Sequence, residues 1–248
     1  MSGALSAGFW GLLSGSALVL GAAVAYLVAV PQRIVAAVMA FGSGVLISAL
    51  SFDLMQEAFE TGGFLASAAG FFGGALVYTI ANIVVTRRGG HHRKRSRGKQ
   101  QQASEGSGLG IAIGALLDGI PESIVIGVSL LGGQGVSVVA VAAVFLSNVP
   151  EGLSSAAGMR RAGRSPAYVF GVWGAIALAS GVGAVVGYVA FADAPPAWTA
   201  AANAVAAGAI LAMIVDTMIP EAFETAHEFA GLVTVTGFLC AFALTKLS

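Results

Sequence analysis

Runs of roughly 20 apolar residues recur along the chain, separated by short polar turns. They fall at Ser6 to Val30, Ile34 to Leu54, Phe64 to Val85, Gly108 to Leu131, Val136 to Ala157, Tyr168 to Phe191, Ala197 to Ile219 and Phe229 to Leu247. A helix rises about 1.5 Å per residue, so each run is long enough to cross a hydrocarbon core of about 30 Å. The pattern predicts an all-α fold, a polytopic membrane protein with eight transmembrane helices. The first run is read as a true span, because Met1-Ser2-Gly3-Ala4 lacks the positive start of a secretory signal and the run exceeds a signal's apolar stretch. One segment breaks the rhythm: residues 87–107 are polar, basic and aperiodic, which predicts a disordered loop within a single 1–248 transmembrane domain.

Composition sharpens the class. Hydrophobic residues make up 57% of the chain and charged ones only 10%, where a soluble domain carries about 25% charge. The 35 glycines suit closely packed membrane helices. Cys240 stands alone in an apolar run and can form no internal disulfide.

The formal charge is zero but segregated. Eleven of the 12 cations lie in three loops: Arg33, the seven between Arg87 and Lys99, and Arg160, Arg161 and Arg164; Lys246 is the exception. In an eight-helix chain these odd-numbered loops share one face, and positive loops stay cytoplasmic. The expected place is a cell membrane, with both termini outside. His91-His92 could hold a metal loosely, although a solvated basic loop accounts for them.

Two neighbouring spans write one motif twice: Asp118-Gly-Ile-Pro-Glu122-Ser and Ser147-Asn-Val-Pro-Glu151-Gly. A charge at the centre of a bilayer costs about 2.5–3.5 kcal/mol or more, so acids there mark function. Residues four apart share a helix face, which pairs Asp118 with Glu122 and Ser147 with Glu151, Asn148 lying beside them. Pro121 and Pro150 each free a carbonyl about one turn earlier, near Leu117 and Leu146. Carboxylates, an amide, a hydroxyl and bare carbonyls form an oxygen-rich cage suited to a divalent cation.

A second repeat is longer in range. Glu57-Ala-Phe-Glu-Thr61 returns as Glu221-Ala-Phe-Glu-Thr225, and Gly44 to Leu50 matches Gly208 to Ile214 at the same offset. The copies end spans running in opposite directions, which predicts an inverted repeat of spans 1–3 and 6–8 around central spans 4–5. Acidic mouths are then expected at both surfaces: Asp53, Glu57 and Glu60 outside, Asp216, Glu221, Glu224, His227 and Glu228 inside. Asp53, Glu57, Asp216 and Glu221 read equally as gates or as solvated helix ends; Glu60 and Glu228 read as solvated ends.

With these motifs the chain resembles the ZIP family of Zrt- and Irt-like metal-ion transporters over nearly its whole length. The shared features are the eight spans, the long cytoplasmic loop after span three, the Pro-Glu motifs of spans four and five, and Ile219-Pro-Glu-Ala222. The resemblance implies metal ligands at Glu122, Glu151 and Asn148, with Asp118 and Ser147 where the family carries histidines and Gly119 where a polar ligand often sits. Ser180-Gly181 stands near a Glu-Pro of two-metal members, so Ser180 is expected along the path. The resemblance further implies an elevator-like mechanism, spans 1, 4, 5 and 6 moving against spans 2, 3, 7 and 8, and a homodimer.

Loss of both histidines leaves an all-oxygen site. Imidazole favours zinc while carboxylate and carbonyl favour harder ions, so zinc, manganese and iron(II) all stay open as substrate. No nucleotide-binding motif, organic cofactor or nucleic-acid partner is read from the chain. A non-transporting metal-bound sensor is the main rival. An intramembrane hydrolase is the weaker one, because no histidine lies within the spans and Asp118 and Asp216 sit at different depths.

Overall fold

The computed structural model describes residues 3–87, 109–132 and 136–247. The expected loop at 87–107 falls outside the described residues beyond Arg87, as do His91 and His92. What is described is all-helical: α1 (Gly3–Leu27), α2 (Gln32–Ala49), α3 (Met55–Arg87), α4 (Leu109–Ser129), α5 (Val138–Arg161), α6 (Pro166–Phe191), α7 (Pro196–Met213), α8 (Ile219–Ala226) and α9 (Ala230–Leu247). Several of these are long and apolar enough to cross a membrane, as a membrane protein requires.

Helix ends follow local chemistry. Ser137 and Ser165 cap α5 and α6 by accepting from the amides of Ala140 and Tyr168, and Pro166 begins α6 where no amide is needed. Pro31 keeps Val30 out of the helical region, so α1 stops at Leu27 although the apolar run continues to Val30.

Helix continues past other apolar runs. From Gln32 to Arg87 the chain is helical for 56 residues, about 84 Å at 1.5 Å per residue, far beyond one bilayer. Two local events interrupt it, a π-helical turn at Leu50–Leu54 and a break at Gly63, whose φ of 70° and ψ of 176° suit glycine alone. The second long run, Pro196–Leu247, carries a π-helical turn at Ile214–Met218 and a break at His227, φ 37°. Both events recur at the offset that relates Glu57 to Glu221. Pro220 lacks an amide and lies just after the second π turn, but Gln56 occupies the equivalent place after the first, so proline is not the common cause. Hydroxyls bonding carbonyls four residues back inside or beside both turns, Ser51 to Ile47 and Thr217 to Met213 at 2.7 Å each, favour such bending.

Packing sorts the helices into two groups. Extensive contacts join α1 with α5 and α6, and α6 with α4; an equally close set joins α3 with α7 and α2 with α9. Small residues permit the crossings: a Cβ at Gly21 would collide with the carbonyl of Val149, and one at Gly152 with that of Leu18. Lesser contacts of α2 with α5 and of α4 with α7 join the groups.

Candidate functional site

Both proline motifs lie inside helices of the first group, Pro121 within α4 and Pro150 within α5. Asp118, Glu122, Ser147, Asn148 and Glu151 are each 5% exposed or less. Burial of that many polar groups is costly unless they are partnered. Asp118 accepts a 2.6 Å hydrogen bond on Oδ1 from the hydroxyl of Tyr78 in α3. The Asn148 amide donates at 3.0 Å to the carbonyl of Ser14 in α1. Ser147 donates to the carbonyl of Val144 at 3.0 Å, one turn back. Ser180 likewise donates to Ile176 at 3.1 Å, and its hydroxyl would stand 3.9 Å from a Cβ at Gly119.

Glu122 borders a void of about 20 Å³ whose walls include Leu46, Leu50, Leu54, Val144 and Ile210. That holds about one water molecule and no path. Beyond Glu151 the environment differs. Ser154, three residues on and so on a neighbouring face of α5, donates at 3.3 Å to Oε1 of Glu221 in α8. Glu221 is 3% exposed. Among the described residues no three His, Cys, Asp or Glu side chains converge closely enough to hold a metal ion. The two carboxylates of α4 and the one of α5 are each buried, and they do not close into a three-acid cage in this conformation.

The flanking acids divide by copy. Asp53 is hydrogen-bonded by Thr245 with Lys246 close by, whereas Asp216 is exposed and accepts from Asn82 at 3.1 Å. Asn82 and Lys246 are themselves related by the repeat offset. Glu57 is exposed, and a hydrogen bond from Asn203 favours its charged form. Desolvation by the surrounding helices outweighs that bond, and with repulsion from Glu60 it holds the carboxyl above its usual range. Glu60 and Glu228 are exposed, as expected of solvated ends.

Tyr78 and Ser154 were not singled out by the sequence. A tyrosine in an apolar run needs a partner for its hydroxyl when buried, a signal that could have found Tyr78 but not its partner Asp118. Ser14 carried no signal; its hydroxyl is 1% exposed and has no hydrogen-bond partner among the described residues. No protein-family model matches the chain, and no curated protein matches it.

Proposed function

We propose that the protein is a membrane transporter that moves a divalent metal cation toward the cytoplasm, of the ZIP kind that its motifs resemble. The observation that carries this reading is the set of buried polar groups itself: Asp118, Glu122, Ser147, Asn148 and Glu151, all but fully buried, on two consecutive helices that each hold a proline inside them. A fold needs no such group for stability, since buried polar clusters are retained at a cost. Oxygen donors are what a hard or borderline divalent cation takes.

The packing supports an elevator. The helices that would move, α1, α4, α5 and α6, are the first packing group; α3 with α7 and α2 with α9 are the second, joined through the π turn at Leu50–Leu54, with α8 packed on α2. Tyr78 to Asp118 and Ser154 to Glu221 both bridge the groups, so sliding must exchange both bonds. With the basic loops inside, the apolar walls beside Glu122 lie toward the outer surface and close it, while Glu151, Ser154 and Glu221 lead inward. The recurrence of π turn and break supports the repeat, and eight spans with the basic loops inside make that repeat inverted and put both termini outside.

Proteoliposomes loaded with a metal-sensitive dye test this reading. Uptake of zinc, manganese or iron(II) is expected for the intact chain, and Glu122→Ala or Glu151→Ala should abolish it in protein that still folds. Asp118→His and Ser147→His should each shift competition toward zinc and cadmium, because imidazole prefers those ions. An unchanged metal ranking in the double variant would show that ligand hardness does not set selectivity.

A further inference from the structure

Tyr78 of α3 is 2% exposed, and its hydroxyl donates to Oδ1 of Asp118 in α4 at 2.6 Å, a length typical of a hydroxyl on a carboxylate. Donor and acceptor belong to different packing groups. Beside this bond the groups part around a cavity of about 470 Å³, with Gly74, Val77 and Val205 on one wall and Leu117 and Pro121 on the other. The Tyr78 ring is part of the first wall. Apolar side chains of the two groups therefore leave this stretch of the seam unfilled, whereas α1 and α5 meet backbone to backbone at Gly21 and Gly152. At this point α4 is held to α3 by a directional hydrogen bond, which exchanges more readily than interlocked side chains.

We propose that Tyr78 is a positioning residue that competes with the transported cation for Asp118, so that α4 is tied to α3 when no cation is bound and released when one is. This rests on the metal-transport reading above and deepens it. A hydroxyl proton directed at Oδ1 occupies one of its lone pairs and weakens the pull of that oxygen on a cation. With the bond made, Asp118, Glu122 and Glu151 do not converge closely enough to hold a metal ion together. A cation that gathers them must therefore move carboxylates, and Asp118 cannot follow it while Oδ1 stays with a hydroxyl of the other group. Loading breaks the tie, and unloading restores it. The unloaded carrier then crosses more slowly than the loaded one, so exchange of ion for ion outruns net uptake.

The test sets Tyr78→Phe, which keeps the ring in the cavity wall and removes the hydroxyl alone, against the wild type. In the first arm the full chain is kept metal-free in detergent, with nitroxide labels at Val84→Cys and Ile113→Cys, exposed positions of α3 and α4, in a Cys240→Ala background. The distribution of distances between the labels should broaden in Tyr78→Phe. In the second arm zinc and manganese fluxes are measured in proteoliposomes, as net uptake into metal-free vesicles and as exchange with the same ion inside. Wild-type exchange should exceed net uptake about tenfold or more, the effect of one hydrogen bond to a charged group. Tyr78→Phe should close that gap and lower KM, with the maximal exchange rate unchanged. Tyr78→Met, flexible enough to fill the same space without a donor, repeats both arms if Tyr78→Phe does not fold. An unchanged label distribution would overturn the tie. A raised KM, which would make the hydroxyl a support for Asp118 as a ligand, or an unchanged ratio of exchange to net uptake would overturn the competition. Flux of neither ion through the wild type would instead overturn the transport reading, and the label distances then decide the tie on their own.

Discussion

Glu57 and Glu221 stand in the same five-residue sequence, each just beyond a π-helical turn and six residues before a break with positive φ, yet they meet opposite surroundings. Glu57 is exposed and takes a hydrogen bond from Asn203 of α7. Glu221 is buried and takes one from Ser154 of α5. Local sequence therefore sets the backbone of both copies, while the neighbouring helix decides what each acid does. Asn203 and Glu57 lie on α7 and α3, which pack on one another, so that bond lies within one group. Ser154 and Glu221 belong to different groups, so in the proposed elevator that bond is a latch between them.

The contrast is first broken at the latch. Ser154→Ala removes a hydrogen bond to a buried carboxylate and should cost about 1.5–3 kcal/mol in unfolding free energy. Glu57→Ala, at an exposed site, should stay within about 0.5 kcal/mol. Equal losses, measured by reversible unfolding in detergent, would mean that the copies are equivalent and the latch does not exist.

The two breaks offer a second comparison. Gly63 has φ and ψ that side chains do not adopt, and a Cβ there would meet nothing within 4 Å, so Gly63→Ala isolates backbone strain. It should cost about 1–3 kcal/mol. His227 already carries that kind of strain at φ 37°, and His227→Gly should lose no stability. A loss in His227→Gly similar to that of Gly63→Ala would show that the imidazole holds the second break by contacts that glycine lacks.

Smallest is the response to pH. Glu57 has a carboxyl pKa above its ordinary 4.5, so the folded state holds this proton more tightly than the unfolded chain. Its contribution to stability is complete below that ordinary value and declines as pH rises through the raised one. Glu57→Gln should flatten this part of the pH profile; a profile steeper than the wild type's would reverse the sign assigned here.

These comparisons also show what was legible in the sequence. Hydropathy located the long helices within a few residues, because apolar side chains mark where a helix can face lipid. It could not see that helix continues from Leu54 to Gly62, or from Ile219 to Ala226, since those turns are polar and helicity depends on backbone hydrogen bonds rather than on lipid contact. The repeat of Glu57 to Thr61 pointed to matching structure, and the π turns and breaks fall at that offset. Burial of Asp118, Glu122 and Glu151 followed from their place in apolar runs. The hydrogen bonds around them did not, because Tyr78 reaches Asp118, Ser14 reaches Asn148 and Glu221 reaches Ser154 from 40, 134 and 67 positions away along the chain, and only packing brings them in.

In the function proposed above, the buried oxygen groups of α4 and α5 carry a divalent cation across the bilayer. Metal uptake into proteoliposomes, compared between the wild type and Glu122→Ala at matched reconstitution, tests it most directly. The account predicts saturable uptake of at least one of zinc, manganese and iron(II) by the wild type and background uptake by the variant. Equal uptake by the two proteins, or none by the wild type with any of these ions, would contradict it.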